Sequence, residues 1–371
     1  MLKPELRPAR PYFSSGPCAK PPGWSPDKLD TRILGRSHRS GLGKARLKLA
    51  IDLMRETLAL PDSHRIGIVP GSDTGAFEMA MWTMLGARPV TACAWESFGE
   101  GWVTDAVRQL KLDPIVIRAD YGQLPDLAQI DWSSDVLFTW NGTTSGVRVP
   151  DAEWIAADRE GLSFADATSA VFAYDIDWAK VDVGTFSWQK ALGGEGGHGA
   201  LILGPRAVER LESFTPDRPL PKLFRMVKSG KLIEGIFSGE TINTPSMLAV
   251  EDAIFALEWA RSVGGLAGMI ARTEANAAAL DRIVATRDWL GYLAEDPASR
   301  STTSVCLTVA GADAESIKRM AKLLEAEDVA YDIAGYRDAP PGLRIWCGAT
   351  VDTSDIEALG PWLDYAWEQT K

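Results

Sequence analysis

Residues 65 to 85 read RIGIVPGSDTGAFEMAMWTML. RIGIVP is a short run apolar on both faces, as a strand covered by helices on either side must be. A small polar turn, GSDTG, follows, and then GAFEMAMWTML, which reads as a helix. Strand, turn and helix make one step of a layered α/β chain, and the step recurs. VTACAW precedes FGEGWVTDAVRQL, PIVIRA stands alone, DVLFTWN precedes DAEWIAADRE, and LSFADAT, VGTFSWQ and ALILG carry the pattern to about residue 204. The expected class is α/β with a mostly parallel sheet.

The texture changes after residue 245. A long helical stretch, SMLAVEDAIFALEWARSV and the Ala-rich run behind it, leads to the strand-like TTSVCLTV, the helix ESIKRMAKLLEAE, the strand-like GLRIWCG and a last helix. Ser354 and Glu357 have capping-box spacing for that last helix. The expected division is a large domain over residues 1–245 and a smaller α+β domain over 246–371.

Composition narrows the function. The 371 residues carry a formal net charge of -11, with 46% hydrophobic and 24% charged residues, which is ordinary for a folded chain. An acidic total argues against general nucleic-acid or anionic-membrane binding. MLKPELRPARPYF lacks the apolar core of a secretory signal, and the expected location is the cytoplasm. The four cysteines are scattered without a CxxC pair and read as buried hydrophobes in a reducing compartment, and the three histidines do not cluster as zinc ligands do. One window departs from the acidic background: residues 31–50 hold six Lys/Arg and His38 with no Asp or Glu. Its charge implies a small anionic ligand.

Several residues have chemistry to offer, and each has a plainer reading. Lys190, in FSWQKALGGEGGHGALIL, follows a strand-like run and precedes five glycines within ten residues; it is either a loop lysine beside a flexible turn or an amine with room for a flat ligand. Asp166, in LSFADATSA, ends a strand-like run, where open α/β sheets bind ligands, and it would equally serve as a cap. Ser72, Asp73 and Thr74 stand at a helix N-terminus, the favoured place for a phosphate, and any of them is also a good N-cap. Thr143 and Ser145, in TWNGTTSG, are turn residues or hydroxyl donors at a strand's carboxyl end. No GxSxG elbow is present, so a hydrolase serine is not indicated.

Together and in this order, these motifs resemble the class V, fold-type I aminotransferases, and more closely the phosphoserine aminotransferase family, from FSSGP near residue 13 to GLRIW near residue 342. The resemblance implies a large domain with a mostly parallel seven-stranded sheet, a smaller α+β C-terminal domain and pyridoxal 5'-phosphate as cofactor. It implies that Lys190 holds the cofactor as a Schiff base and then moves the substrate proton as general base and acid. Asp166 would keep the pyridine nitrogen protonated. Phe98, with Trp95 in reserve, would lie over the ring. Ser72, Asp73, Thr74 and Thr143 would hold the phosphate and ring oxygen, and Gln189 joins the cofactor contacts. Asn243 and Thr244, in TINTPSM, would complete the phosphate site of the other subunit of a homodimer.

The same resemblance implies transfer of glutamate's amino group to 3-phosphohydroxypyruvate, making 3-phospho-L-serine for serine biosynthesis, with the phosphorylated threonine derivative of pyridoxine biosynthesis as a further substrate. Arg344 would anchor the α-carboxylate bidentately. His38 and Arg39 would reach the distal phosphate from the partner subunit, and Ser15 lies in the substrate region. Two positions depart from the family pattern: Thr74 stands where many members carry an arginine, and YRDAPPGLR has Tyr336 where a His-Arg pair is common. Arg337, or Arg32, Arg36, Lys44 or Arg46 from the basic window, are the candidates to compensate. The alternative, an alanine- or serine-glyoxylate aminotransferase, has no use for His38 and Arg39. A cysteine desulfurase would need a reactive loop cysteine, and Cys306 and Cys347 lie in strand-like runs.

Overall fold

The structure is a computed structural model and describes residues 2–371. Fourteen strands and eight α-helices alternate along it. Seven strands form the main sheet: β1 (Arg65–Pro70), β2 (Val90–Ala94), β3 (Ile115–Arg118), β4 (Asp135–Thr139), β7 (Ser163–Asp166), β8 (Val183–Ser187) and β9 (His198–Leu203). Two two-residue strands, β5 (Asn141–Gly142) and β6 (Val147–Arg148), make a hairpin beyond β4. Another such pair, β10 (Val227–Lys228) and β11 (Lys231–Leu232), lies at the surface.

The order across the main sheet is β1-β9-β8-β7-β4-β2-β3, and only β9 runs against the rest. Six of these strands are buried along their whole length or nearly so, which explains their two-faced apolar sequence. One face is covered by α2 (Ser72–Met84), α3 (Ser97–Thr104) and α4 (Pro205–Ser213), through Phe77, Met81, Trp102 and Leu211. The other meets α1 (Gly41–Thr57) and α5 (Met247–Ser262), through Leu47, Met54, Val250 and Leu257. Each of these two helices starts on a serine cap: Ser40 accepts from the Gly43 N–H and Ser246 from that of Ala249.

Beyond α5, the chain bends by 83° into α6 (Gly265–Ala285). It then builds an antiparallel sheet of β12 (Leu290–Tyr292), β13 (Ser304–Val309) and β14 (Gly342–Trp346), packed with α7 (Ala314–Ala326) and α8 (Thr353–Thr370). The N-terminal segment lies along this smaller unit. The Ala9 N–H donates to Asp355 at 2.7 Å, and the Trp346 N–H donates to the Phe13 carbonyl at 3.0 Å. FSSGP is thereby led from the small unit to the edge of the main sheet. No single helix among the described residues is long and apolar enough to cross a membrane.

Two local expectations are corrected. DAEWIAADRE is not a helix but a string of turns. Asp151 accepts from the Glu153 N–H at 2.8 Å, and Trp154 packs edge-on to Phe138, so local side-chain bonding and tertiary packing override the helical pattern. The last helix does not start at Ser354. Its N-cap is Asp352, tied to Arg272 at 2.7 Å, while Glu357 pairs with Arg282 instead of reaching back as a capping box would.

Candidate active site

The carboxyl ends of β1, β2, β4, β7 and β8 point to the same edge of the sheet, and a cavity opens there. Its walls include Lys190, Asp166, Thr143, Gln189 and Phe98, with Ser72, Asp73 and Thr74 of the first turn of α2. Eight of the residues expected from the sequence thus converge on one space. Trp102, Thr139 and Thr168 also line it, and the sequence reading did not name them.

The cup is made by an unusual backbone. Gly71 has φ 87° and Ser72 φ 55°, the second a left-handed conformation that costs a non-glycine residue free energy. The N–H groups of Gly71 and Ser72 are used by the Gly197 carbonyl. Those of Asp73 and Thr74 belong to the first helical turn, which has no intrahelical acceptors, and they remain for an anion. Gly199 lets the strand after the lysine press on the cup, since a Cβ there would run into the Ser72 carbonyl. Gly193, Gly194 and Gly199 behind Lys190 therefore serve close packing. Room at the amine itself is made by Gly16, where a Cβ would collide with Lys190 Nζ.

Lys190 Nζ donates to the Ser15 carbonyl at 2.5 Å, which places FSSGP over the site. Burial, helped by the nearby Arg344, lowers its proton affinity, while Asp166 and Glu96 oppose the shift. A lysine so placed is more readily the neutral amine that attacks a carbonyl carbon.

Asp166 is held from several sides: Trp102 Nε1 donates to it at 2.9 Å and the Thr168 N–H at 3.2 Å. Burial raises its proton affinity, and hydrogen bonds from Asp73, Trp102 and Thr168 and the charge of Lys190 pull it down. Asp73 is a correction. Its carboxyl is buried against Asp166 and Thr185 and not offered to a phosphate, and burial with the neighbouring acid raises its proton affinity well above the usual carboxylate range. What Asp73 presents to an anion is its N–H.

Phe98 and Trp95 separate clearly. Trp95 is fully buried with its indole N–H on the Val147 carbonyl at 3.0 Å, whereas Phe98 is 40% exposed and lines the cavity. Trp102 follows Phe98 by one helical turn, so both side chains lie on the same face of α3; that i, i+4 spacing was the available signal for it. Thr143 donates to Ser169 at 2.9 Å. Its carbonyl accepts from the Ser304 hydroxyl on β13, whose oxygen also lies 3.0 Å from the Ser15 hydroxyl, so the small unit closes one side of the cavity.

The anion-binding candidates are more dispersed. Arg344 projects from β14 with a buried Nε that has no hydrogen-bond partner, and its guanidinium lies 5.8 Å from the Tyr336 ring. Arg337 is on the surface, 3.4 Å from Asp338. His38, Arg39, Asn243 and Thr244 do not line the cavity of their own chain. Arg32, Lys44 and Arg46 are corrected as compensating cations, because Asp30, Glu240 and Glu251 already pair with them. Among the described residues no ion pair holds Arg36 or Arg39. All four cysteines are buried and unpaired, and burial pushes the Cys306 thiol up to about 12, the reverse of what a nucleophile needs.

No family model matches the chain. A phosphoserine aminotransferase of Methanosarcina barkeri is 57% identical to it over 100% of both chains. This chain belongs to the phosphoserine aminotransferase family. Solved structures of the family share its fold. That of Cytophaga hutchinsonii superposes with a TM-score of 0.84 at 23% identity, covering 96% of this chain and 98% of that one. The PLP-bound enzyme of Trichomonas vaginalis gives 0.77 at 17% identity, with coverage of 96% and 99%.

The residues present fit the cofactor of this phosphoserine aminotransferase relative. Buried polar atoms without partners gather around the cavity: Thr139 Oγ1, Gln189 Oε1 and Arg344 Nε. Buried polar groups are ordinarily satisfied, so such a cluster marks space for a polar ligand.

Proposed function

We propose that the chain is a pyridoxal 5'-phosphate-dependent transaminase that moves the amino group of glutamate to 3-phosphohydroxypyruvate, giving 3-phospho-L-serine for serine biosynthesis. The observation that carries this reading is the meeting of Lys190, Asp166 and the first turn of α2 at one cavity of a chain so similar to named phosphoserine aminotransferases. When bound, the cofactor supplies an aldehyde for the amino group and an electron-withdrawing ring that stabilises negative charge at the substrate's α-carbon.

The remaining work belongs to side chains. Lys190 is the amine that holds the aldehyde and then carries the proton to and from the substrate's α-carbon; its lowered proton affinity suits both tasks. Asp166 would face the ring nitrogen, and a cation there would favour its carboxylate over the neutral acid that burial alone would select. The N–H groups of Asp73 and Thr74 take the phosphate, with the hydroxyls of Ser72, Thr74 and Thr143 and with Gln189. Phe98 covers the ring. Arg344 pairs with the α-carboxylate in both half-reactions. Ser15 anchors the amine and borders the substrate.

A homodimer is part of the proposal. Arg39 stands on the surface without an ion pair, the half-buried His38 keeps an unpartnered Nε2, and Asn243 and Thr244 lie on a loop fixed to the main sheet by His198, which accepts the Ser246 N–H at 3.1 Å. Across a two-fold interface these groups would reach the other subunit's phosphate sites, Arg337 assisting from its own chain. The division into units of residues 1–245 and 246–371, a cytoplasmic location and use of the phosphorylated threonine derivative complete the reading. The test is the half-reaction of the purified holoenzyme with phosphoserine, serine and alanine, followed by visible absorption. Phosphoserine should convert the cofactor at least about tenfold faster than the others. Equal rates with alanine would favour a glyoxylate-type enzyme.

A further inference from the structure

Arg344 differs from the arginines held inside the molecule. Arg159, Arg210 and Arg287, with side chains at most 14% exposed, are each fastened to a carboxylate of the same chain. Arg344 is half-buried on β14, its Nε has no hydrogen-bond partner, and among the described residues no carboxylate pairs with it. Its neighbour is an aromatic face instead: the guanidinium carbon lies 5.8 Å from the centre of the Tyr336 ring. The same ring meets Phe98 of α3, centre to centre at 5.7 Å and tilted by 45°. Tyr336 therefore joins a cation of the small unit to the aromatic wall of the cavity.

The loop that carries Tyr336 is well fixed. At its base the Gly335 N–H donates to the Gly342 carbonyl at 2.8 Å, and its turn is closed by the Ala339 N–H on the Tyr336 carbonyl at 3.0 Å. Asp338 shares a surface pocket with Ser97 and Gly101 of α3, so the loop reaches across from one unit to the other. Arg337 lies 5.6 Å from the Tyr336 ring as well, but on the surface and beside Asp338.

We infer that Tyr336 is a positioning residue for Arg344: its ring face holds the guanidinium beside the cavity, braced from the main sheet's side by Phe98. The inference rests on the reading that Arg344 takes the α-carboxylate of both amino acids. A carboxylate in the place of the ring would hold Arg344 equally well, but it would occupy the N–H groups and cancel the charge that the substrate needs. A π face attracts the cation and leaves the in-plane donors free for a bidentate contact. Because the α-carboxylate is common to both substrates, loss of the ring should weaken both by the same factor. A residue that touched the distal phosphate would affect phosphoserine alone.

The test compares Y336F, Y336L, R344A and the Y336L/R344A double variant as holoenzymes. The readouts are the apparent dissociation constant and limiting rate of the half-reactions with phosphoserine and with glutamate, the affinity for maleate, a dicarboxylate that cannot react, and cofactor uptake by the apoprotein. Y336F keeps the ring and should hold every value within about twofold. Y336L should raise the dissociation constants of phosphoserine, glutamate and maleate alike, by about fivefold, with limiting rates and cofactor uptake within about twofold. Added to R344A, the same substitution should weaken binding no further.

The inference is overturned if Y336L leaves the three dissociation constants unchanged, if Y336F weakens them as Y336L does, or if phosphoserine alone responds. Loss of cofactor uptake in Y336L, or an undiminished Y336L effect on the R344A background, would overturn it too, since Tyr336 would then serve Phe98 or the fold. Should Y336L fail to fold, Y336Q removes the ring in its place. If the unaltered holoenzyme reacts with neither amino acid, the functional reading falls instead.

Discussion

Two regions of this chain are rich in charge and use it in opposite ways. At the carboxyl edge of the main sheet, the buried Asp73 and Asp166 and the half-buried Lys190 face a common cavity. Along residues 31–50 the cations are mostly exposed, and four of them are paired with acids of the same chain: Arg32 with Asp30, Lys44 with Glu240, Arg46 with Glu251 and Lys48 with Asp52. The buried region is short of partners and the exposed one nearly supplied with them. The lesson is that local density of one charge sign is a poor guide to a ligand site until the pairing in three dimensions is known. What remains of the basic window for a ligand is Arg36, His38 and Arg39.

The contrast breaks first at Asp166. D166N removes the charge opposite the ring nitrogen while keeping its size, and turnover with phosphoserine should fall by roughly 10³-fold with little loss of thermal stability. A fall below about threefold would place the ring elsewhere. Next come the cations. R46A leaves Glu251 buried and unpaired, with its side chain 1% exposed, and should lower unfolding free energy by about 3 kcal/mol. K48A removes a surface pair and should change stability by less than about 0.5 kcal/mol. R39A should leave stability alone and raise the KM for phosphoserine about tenfold, but not that for glutamate's α-carboxylate contact as probed with alanine. If R39A proved the destabilising change and R46A the kinetic one, the division of the window would be reversed.

The smallest effect concerns pH. Burial lowers the proton affinity of His198 below its ordinary value of 6.5, and neutral Nε2 accepts the Ser246 N–H. The unfolded chain therefore binds more protons as pH falls through about 6.5, and stability should decline on that side and not on the alkaline one. His38 and His64 are shifted in the same direction and share the trend. H198Q keeps an acceptor without titrating and should flatten part of the acid decline, at a cost of about 1 kcal/mol at neutral pH for an imperfect hydrogen bond. Thermal melts across that range measure it; an unchanged slope would mean His198 does not hold the loop.

The layered α/β class could be read from sequence because strands buried on both faces have no polar alternation to confuse with anything else. Lys190, Asp166 and the cup were legible because each sits at a strand end, where the order of the chain fixes its place on the sheet edge. The orientation of Asp73 was not. Its residue type suits a cap or an anion cup, and only the spatial neighbour at the end of β7 turns the carboxyl inward. Trp102 was not singled out; it is buried in the core of α3, but its one donor reaches Asp166. The acids that pair the basic window were invisible for a similar reason: Asp30 and Asp52 flank it just outside its limits, and Glu240 and Glu251 arrive from far along the chain. DAEWIAADRE went wrong because one aromatic contact, Trp154 on Phe138, outweighed a weak helical pattern.

Covalent attachment at Lys190 can be examined without reference to rates. Reduction of the yellow holoenzyme with borohydride, digestion and mass spectrometry should find the pyridoxyl phosphate group on the peptide containing Lys190 and on no other lysine. A label on Lys20, or on no residue at all, would contradict the assignment of the cavity.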